Sequence, residues 1–152
     1  MNTPKITKLI MGIALVAMLI PGALFADDNK YKGTWTGRGE GSVTWGIYKI
    51  EVFAEWEMEV AWDGSITGEW WAGSSAYGNI YGDVNDTTDY GHGTWDVDNP
   101  IGCPLHGTWV ASYYTCEGGY CMSGSWYYYN LLGQKVRGGP IRGSSPKSGI
   151  PE

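Results

Sequence analysis

Three glutamates are spaced in a way that could catalyse hydrolysis of a sugar linkage. Glu55, Glu57 and Glu59 alternate along the chain, and alternate side chains of a β-strand lie about 6.6 Å apart on one face. Two carboxylates roughly 5–10 Å apart can act as general acid and as base or nucleophile on a glycoside. Such a pair needs a cleft, however, and no Gly-x-Ser-x-Gly motif offers another nucleophile. We therefore predict that the chain is not an enzyme.

Two acidic loops and two histidines are the candidates for metal binding. Carboxylate and amide oxygens are the ligands that calcium takes, and the candidate calcium ligands are Asp83, Asp86, Asp89, Asp96 and Asp98. Neither loop fits the twelve-residue calcium pattern, because Thr88 stands where that pattern requires glycine. His92 and His106 each precede Gly-Thr-Trp and are interpreted as parts of a structural repeat. We predict no cofactor, with a calcium ion at the acidic loops as the alternative.

The aromatic content exceeds what the core of one domain needs. The 152 residues include 9 Trp and 11 Tyr. Rings that combine a flat apolar face with a polar group suit sugars and protein interfaces. The candidate ligand or interface aromatics are Trp70, Trp71, Trp95, Trp109, Trp126, Tyr127 and Tyr129.

A recurring triplet indicates how these rings are positioned. Gly-x-Trp occurs five times, starting at Gly33, Gly68, Gly93, Gly107 and Gly124. The irregular spacing excludes a strict array and favours one Trp per strand or hairpin. The segments 33–37 and 63–70 resemble the opening strands of avidin-like barrels. This resemblance, which covers only those two segments, implies barrel topology.

Alternation of apolar and acidic residues predicts an extended segment over 50–62. Even-numbered apolar residues, including Trp56 and Trp62, share one face, and Phe53 falls on the other with the glutamates. The predicted acidic face consists of Glu51, Glu55, Glu57, Glu59 and Glu69. An earlier alternation at 43–47 has the opposite phase, which predicts a bulge, bend or turn near 46–49.

Two hairpins have turns that can be read from the sequence. Asp63-Gly64 closes the first, and a three-residue loop over 63–65 matches apolar residues across the strands better than a two-residue loop. A four-residue loop over 117–120 closes the second and places Cys116 opposite Cys121. Further strands are predicted at 78–84, 92–98, 105–116 and 120–131, with a weaker strand at 134–138.

The predicted fold is all-β: an antiparallel meander of seven or eight short strands that closes as an up-and-down barrel. An open sheet or a two-sheet sandwich is the alternative. The predicted domain runs over 27–137, and the Gly/Pro/Ser-rich segment 138–152 is predicted to be a flexible tail.

Residues 1–26 have the pattern of a secretory signal peptide. Lys5 and Lys8 precede an apolar run that ends at Pro21-Gly22, and Ala26 offers a small residue for cleavage. The run is too short to cross a membrane, so we predict no membrane span in the mature chain. Secretion favours oxidation of cysteines, and the predicted disulfide joins Cys116 and Cys121. Cys103–Cys116 or Cys103–Cys121 is the alternative, and either would require the loop 99–104 to fold over.

Charge is segregated along the chain, whose net charge is −6. From Ile50 to Gln134 there are 12 acids and no Lys or Arg. This balance argues against a nucleic-acid partner. We predict a secreted, non-enzymatic component of the extracellular space or cell surface that associates with copies of itself. The alternative is a ligand-binding module that holds a carbohydrate or a small apolar molecule against Trp and Tyr.

Overall fold

The computed structural model describes residues 27–74, 76–98 and 103–146, and every regular element among them is a β-strand. The strands are β1 Gly33–Gly39, β2 Val43–Trp45, β3 Tyr48–Ile50, β4 Glu55–Val60, β5 Ser65–Ala72, β6 Ala76–Asn85, β7 Tyr90–Asp96, β8 His106–Cys116, β9 Gly119–Tyr129 and β10 Lys135–Pro146. Eight of them form a closed antiparallel barrel in the order β1-β10-β9-β8-β7-β6-β5-β4. The hairpin β2–β3 is inserted between β1 and β4. The predicted all-β, up-and-down barrel is therefore confirmed.

Pairs of glycine and tryptophan explain the recurring triplet. On the neighbouring strands β7 and β8, Trp95 lies opposite Gly107 and Trp109 lies opposite Gly93. Because glycine has no side chain, each indole crosses its glycine, and its N–H reaches a carbonyl on the next strand. Trp95 Nε1 donates to the carbonyl oxygen of Tyr127 at 2.8 Å, and Trp109 Nε1 donates to that of Tyr81 at 3.1 Å.

The segment 50–62 is only partly the strand that alternation predicts. The strand β4 begins at Glu55, and its Trp56, Met58 and Val60 side chains are buried as expected. Phe53 was predicted on the acidic face, and this is wrong. It lies in a turn at φ 60° and is fully buried. Positive φ is costly for a phenylalanine, and burial of its ring against Trp70, Trp95 and Trp126 at 6.1–6.3 Å offsets that cost.

The first hairpin has a loop of the predicted length in a different place. Three residues, Trp62 to Gly64, connect Ala61 to Ser65, with Gly64 at φ 87°. Val60 therefore pairs with Ile66 and Glu57 with Glu69, which corrects both sequence-based registers. Trp62 belongs to the loop and is exposed, not inward-facing as alternation predicted. The predicted turn near 46–49 is present between β2 and β3, with Gly46 at φ 58°.

The turn of the second hairpin consists of two residues, Glu117 and Gly118, and is shorter than the predicted loop over 117–120. Cys116 pairs with Gly119 and Tyr114 with Cys121, so the predicted register is wrong by two residues. A shift of two keeps every side chain on its predicted face. The disulfide Cys116–Cys121 is nevertheless formed, as predicted. The third cysteine, Cys103, is a buried free thiol.

The predicted tail is largely a barrel strand. Residues 138–146 continue β10 and pair with β9 and with β1, closing the barrel. The glycines that predicted flexibility are needed for packing, because the Trp126 ring lies on Gly138 and the Trp56 ring lies on Gly143. Residues 147–152, like the predicted signal peptide 1–26, lie outside the described residues. Within the described ranges no helix is long and apolar enough to cross a membrane.

Candidate functional site

The inside of the barrel is packed with side chains. Four of the candidate aromatics, Trp70, Trp95, Trp109 and Trp126, are fully buried there. The centroids of Trp70 and Trp95 are 6.1 Å apart and those of Trp95 and Trp126 are 5.7 Å apart, both edge to face. These four rings therefore form the core, and the structure does not present them on a surface.

The three remaining candidate aromatics lie on the outside and are partly exposed. Trp71 Nε1 donates to Glu55 Oε2 at 2.7 Å, which fixes that indole against β4. The ring of Tyr127 lies 4.6 Å from the Lys135 ammonium, a cation–π contact. The rings of Tyr129 and His106 have centroids 5.3 Å apart. Contacts with charged or titratable groups thus orient all three rings.

An acidic face runs along β4 and β5. It consists of Glu55, Glu57, Glu59 and Glu69, all exposed. Glu57 lies directly opposite Glu69 in the register, and like charges in that position repel. Within the described residues neither of these two has an ion-pair partner, whereas Glu59 accepts a hydrogen bond from Thr34 at 2.7 Å.

Glu51 does not belong to this face, although the sequence predicted it there. It lies in the turn between β3 and β4 and lines a small cleft with Glu40 and Lys49. The predicted acidic face therefore loses one member, because the strand begins four residues later than Glu51.

A basic face lies beside the acidic one. It consists of Arg38 on β1 and Lys135, Arg137 and Arg142 on β10, all exposed. Arg38 lies directly opposite Arg142. Two like charges therefore face each other across β1 and β10, as Glu57 and Glu69 do across β4 and β5. One ion pair, Arg38 to Glu55 at 3.6 Å, joins the two faces in the described part of the chain.

The candidate calcium ligands are spread over separate contacts. Asp89 binds Lys30 at 2.7 Å and accepts a hydrogen bond from the Tyr31 hydroxyl at 2.6 Å. The Lys30 contact, with the Tyr31 hydrogen bond, lowers the pKa of Asp89. Asp96 accepts from the Asn79 amide at 3.0 Å.

Two other candidate ligands lie in a polar cleft of about 570 Å³. Asp83 and Asp86 line it together with His92, while Asp98 is exposed at the end of β7. Residues 27–74, 76–98 and 103–146 contain no group of three or more Asp, Glu, His or Cys arranged to hold a metal. His106 pairs with Asp96 and His92 with Val110, so the histidines lie at opposite ends of one hairpin. The calcium ion stays a prediction.

Sequence reasoning missed an apolar groove at one end of the barrel, which we call the end groove. Its volume is about 1250 Å³, and its walls are the β2–β3 hairpin, the segment 104–106 and the turn 130–133. Trp45 and Leu105 line it, and Leu131 and Leu132 form its rim. Two consecutive leucines between Asn130 and Gly133, in a turn too short to bury both, were the signal available in the sequence.

Comparison with known proteins finds no matching family model, no similar curated protein and no similar solved structure.

Proposed function

We propose that this chain is a secreted, non-enzymatic β-barrel that works through its outer surface, as a structural component of the extracellular space or cell surface. The packed interior supports this proposal, because the core tryptophans occupy the volume in which many barrels bind a ligand. The predicted signal peptide supports secretion. So does the Cys116–Cys121 disulfide, since disulfides persist in oxidising compartments.

The single observation that carries self-association is the pair of faces with opposite charge. Glu57 opposes Glu69 on the acidic face, and Arg38 opposes Arg142 on the basic face. Within one molecule the two residues of each pair carry the same charge and repel each other. Contact between the acidic face of one copy and the basic face of the next would relieve both. Because the two faces differ, the contact is heterologous, and repeated contacts build rings or filaments.

Charge reversal tests this contact. Sedimentation velocity of residues 27–152 at low salt should show polymers that dissociate as salt is added, because exposed charges are screened. Glu57→Lys/Glu69→Lys and Arg137→Glu/Arg142→Glu should each be monomeric alone. A mixture of the two variants should associate, because each supplies the face that the other has lost. Monomers of the unmodified protein at low salt would contradict the proposal.

A control variant separates the face from total charge. Asp83→Lys/Asp98→Lys changes the net charge as much as Glu57→Lys/Glu69→Lys but alters residues outside the acidic face. It should still form polymers. If it dissociates to the same extent, the polymers depend on net charge and the proposed contact is wrong.

A second candidate function is binding of a carbohydrate on the outer surface of β6 to β8. Tyr77, Tyr81, Tyr90 and Tyr114 are each 45–48% exposed there, and Thr and Ser residues lie between them on the same face. Such rings can stack on sugars while the neighbouring groups bind hydroxyls. A protein that stays monomeric at low salt, and whose fluorescence shifts with added glycan, would favour this second function over self-association.

A further inference from the structure

The most exposed aliphatic side chains of the described residues are gathered at one end of the barrel. Ile47 is 92% exposed, Leu131 is 88% exposed and Leu132 is 82% exposed. Ile47 belongs to the β2–β3 turn, and the two leucines belong to the β9–β10 turn. These two turns stand on either side of the end groove. Aliphatic side chains concentrated on protruding turns mark a contact surface.

The first charged residue after each of these two turns is basic, Lys49 on β3 and Lys135 on β10, although the chain as a whole is acidic. Lys49 is the one charged residue between Gly41 and Ile50. From Gly118 to Pro146 the charged residues are Lys135, Arg137 and Arg142, with no acid. The acids at this end have other neighbours. Glu40 and Glu51 line the separate cleft beside Lys49, Glu55 lies 3.6 Å from Arg38, and Asp96 accepts a hydrogen bond from the Asn79 amide. Asp98 is held by its backbone N–H, which donates to the carbonyl oxygen of Tyr77.

Two aromatic residues complete the surface. Trp45 lines the end groove, and Tyr48, its partner in the β2–β3 register, is 47% exposed. Indole and phenol rings favour the boundary between water and hydrocarbon, where the ring is apolar and the N–H or O–H stays hydrated. We propose that this end of the barrel docks onto an anionic lipid surface. Ile47, Leu131 and Leu132 enter the acyl boundary, and Lys49 and Lys135 contact the headgroup phosphates.

Charge and shape favour a lipid surface over the two other possible occupants of this end, a second copy of the chain and a small apolar molecule. Two copies meeting at this end through a symmetric contact would bring Lys49 and Lys135 of each copy close to those of the other, and like charges repel. A small apolar molecule in the groove would leave Ile47 in water, because Ile47 is not part of the groove lining. Self-association uses the charged faces on the sides of the barrel. Lys135, a member of the basic face, is the one residue that both proposals use, and the serine variant below leaves it unchanged.

Vesicle sedimentation tests the proposal. The protein used is residues 27–152, which contains every strand of the barrel and omits the apolar leader that would bind lipid by itself. It should pellet with vesicles of equal parts phosphatidylcholine and phosphatidylglycerol, and added salt should weaken binding. Vesicles of phosphatidylcholine alone should bind it about tenfold more weakly, since each nearby cation contributes to attraction by an anionic surface.

Matched variants locate the contact. Ile47→Ser/Leu131→Ser/Leu132→Ser should lower the partition coefficient by about tenfold or more, without unfolding, because all three side chains are exposed. Trp62→Ser removes an exposed ring from the opposite end and should bind as the unmodified protein does. The proposal is overturned by failure to bind anionic vesicles, by equal binding to both vesicle types, or by equal losses in the two variants. Dimerisation that the serine variant abolishes, without any lipid binding, would assign the surface to a second copy instead.

Discussion

Trp56 differs from the other buried tryptophans in the surroundings of one atom. Its Nε1 has no hydrogen-bond partner among the described residues, whereas Trp70 Nε1 donates to the carbonyl oxygen of Asp96 at 2.9 Å. The two residues lie opposite each other on β4 and β5, and both rings are fully buried. They therefore form a matched pair in which ring burial is equal and hydrogen bonding is not.

Replacing each of these tryptophans by phenylalanine should separate the contribution of ring burial to stability from that of the indole hydrogen bond. Trp70→Phe should lower the free energy of unfolding by about 1–2 kcal/mol more than Trp56→Phe, because it leaves the Asp96 carbonyl without its donor. Urea unfolding followed by circular dichroism measures both values. Equal losses in the two variants would mean that the indole N–H of Trp70 contributes nothing to stability.

The strand β10 closes the barrel, although its composition is that of a linker. A chain that ends at Arg137 loses every pair between β10 and β1 and most pairs between β10 and β9. We expect this truncated protein not to fold, because Trp126 loses Gly138 and Trp56 loses Gly143, glycines against which their rings pack. Near-ultraviolet circular dichroism and limited proteolysis measure the result.

A chain that ends at Pro146 is the control for this truncation. It retains every described pair of β10, and it should fold with the same urea midpoint as residues 27–152. A native spectrum from the shorter chain would show that residues 138–146 are dispensable for the barrel.

Local pattern predicted the strands and their faces but not the way they fit together. Alternation correctly placed Trp56, Met58 and Val60 inside, because one buried face requires a period of two. The register depends on which turn forms, and the Asp63-Gly64 pair is compatible with loops of several lengths. The tail was missed because the preference of Gly138 and Gly143 for turns is outweighed by rings from distant strands, which local sequence does not encode.

For the candidate site too, the sequence predicted which residues share a strand face but not which strands are neighbours. The acidic face follows from alternate glutamates, and its members Glu55, Glu57 and Glu59 are where the sequence placed them. The pairing of Arg38 with Arg142 required knowledge that β1 and β10 are neighbours, a contact across 104 positions of the chain. Burial of Trp70 and Trp95 was unpredictable from composition, because an aromatic excess does not say which rings fill the barrel.

The whole molecule should lose stability in alkali. Burial, with the hydrogen bond to Asp89, raises the pKa of Tyr31 to about 12, and burial also raises the pKa of Tyr113. In the unfolded chain a tyrosine ionises near pH 10. Above that pH the unfolded state releases protons that the folded state retains, so stability is complete below about pH 10 and falls as the pH rises towards 12.

Urea unfolding between pH 8 and about 12 measures this loss, for which we expect on the order of 2 kcal/mol from Tyr31. Tyr31→Phe is the control, because it cannot ionise, and its unfolding free energy should fall less steeply over the same range. Identical slopes in the two proteins would assign the alkaline loss to other groups.

The ring closed by β1 and β10 leaves the barrel without a free strand edge, and this limits the material that copies of the chain could build. Among the described residues the free strand edges are those of β2 and β3, which have three residues each. Polymers of intact barrels therefore have little backbone with which to add hydrogen bonds from one molecule to the next, as amyloid does. Their cohesion must come mainly from side chains. Fibres of this protein would therefore bind no amyloid dye and would dissociate into intact barrels at high salt.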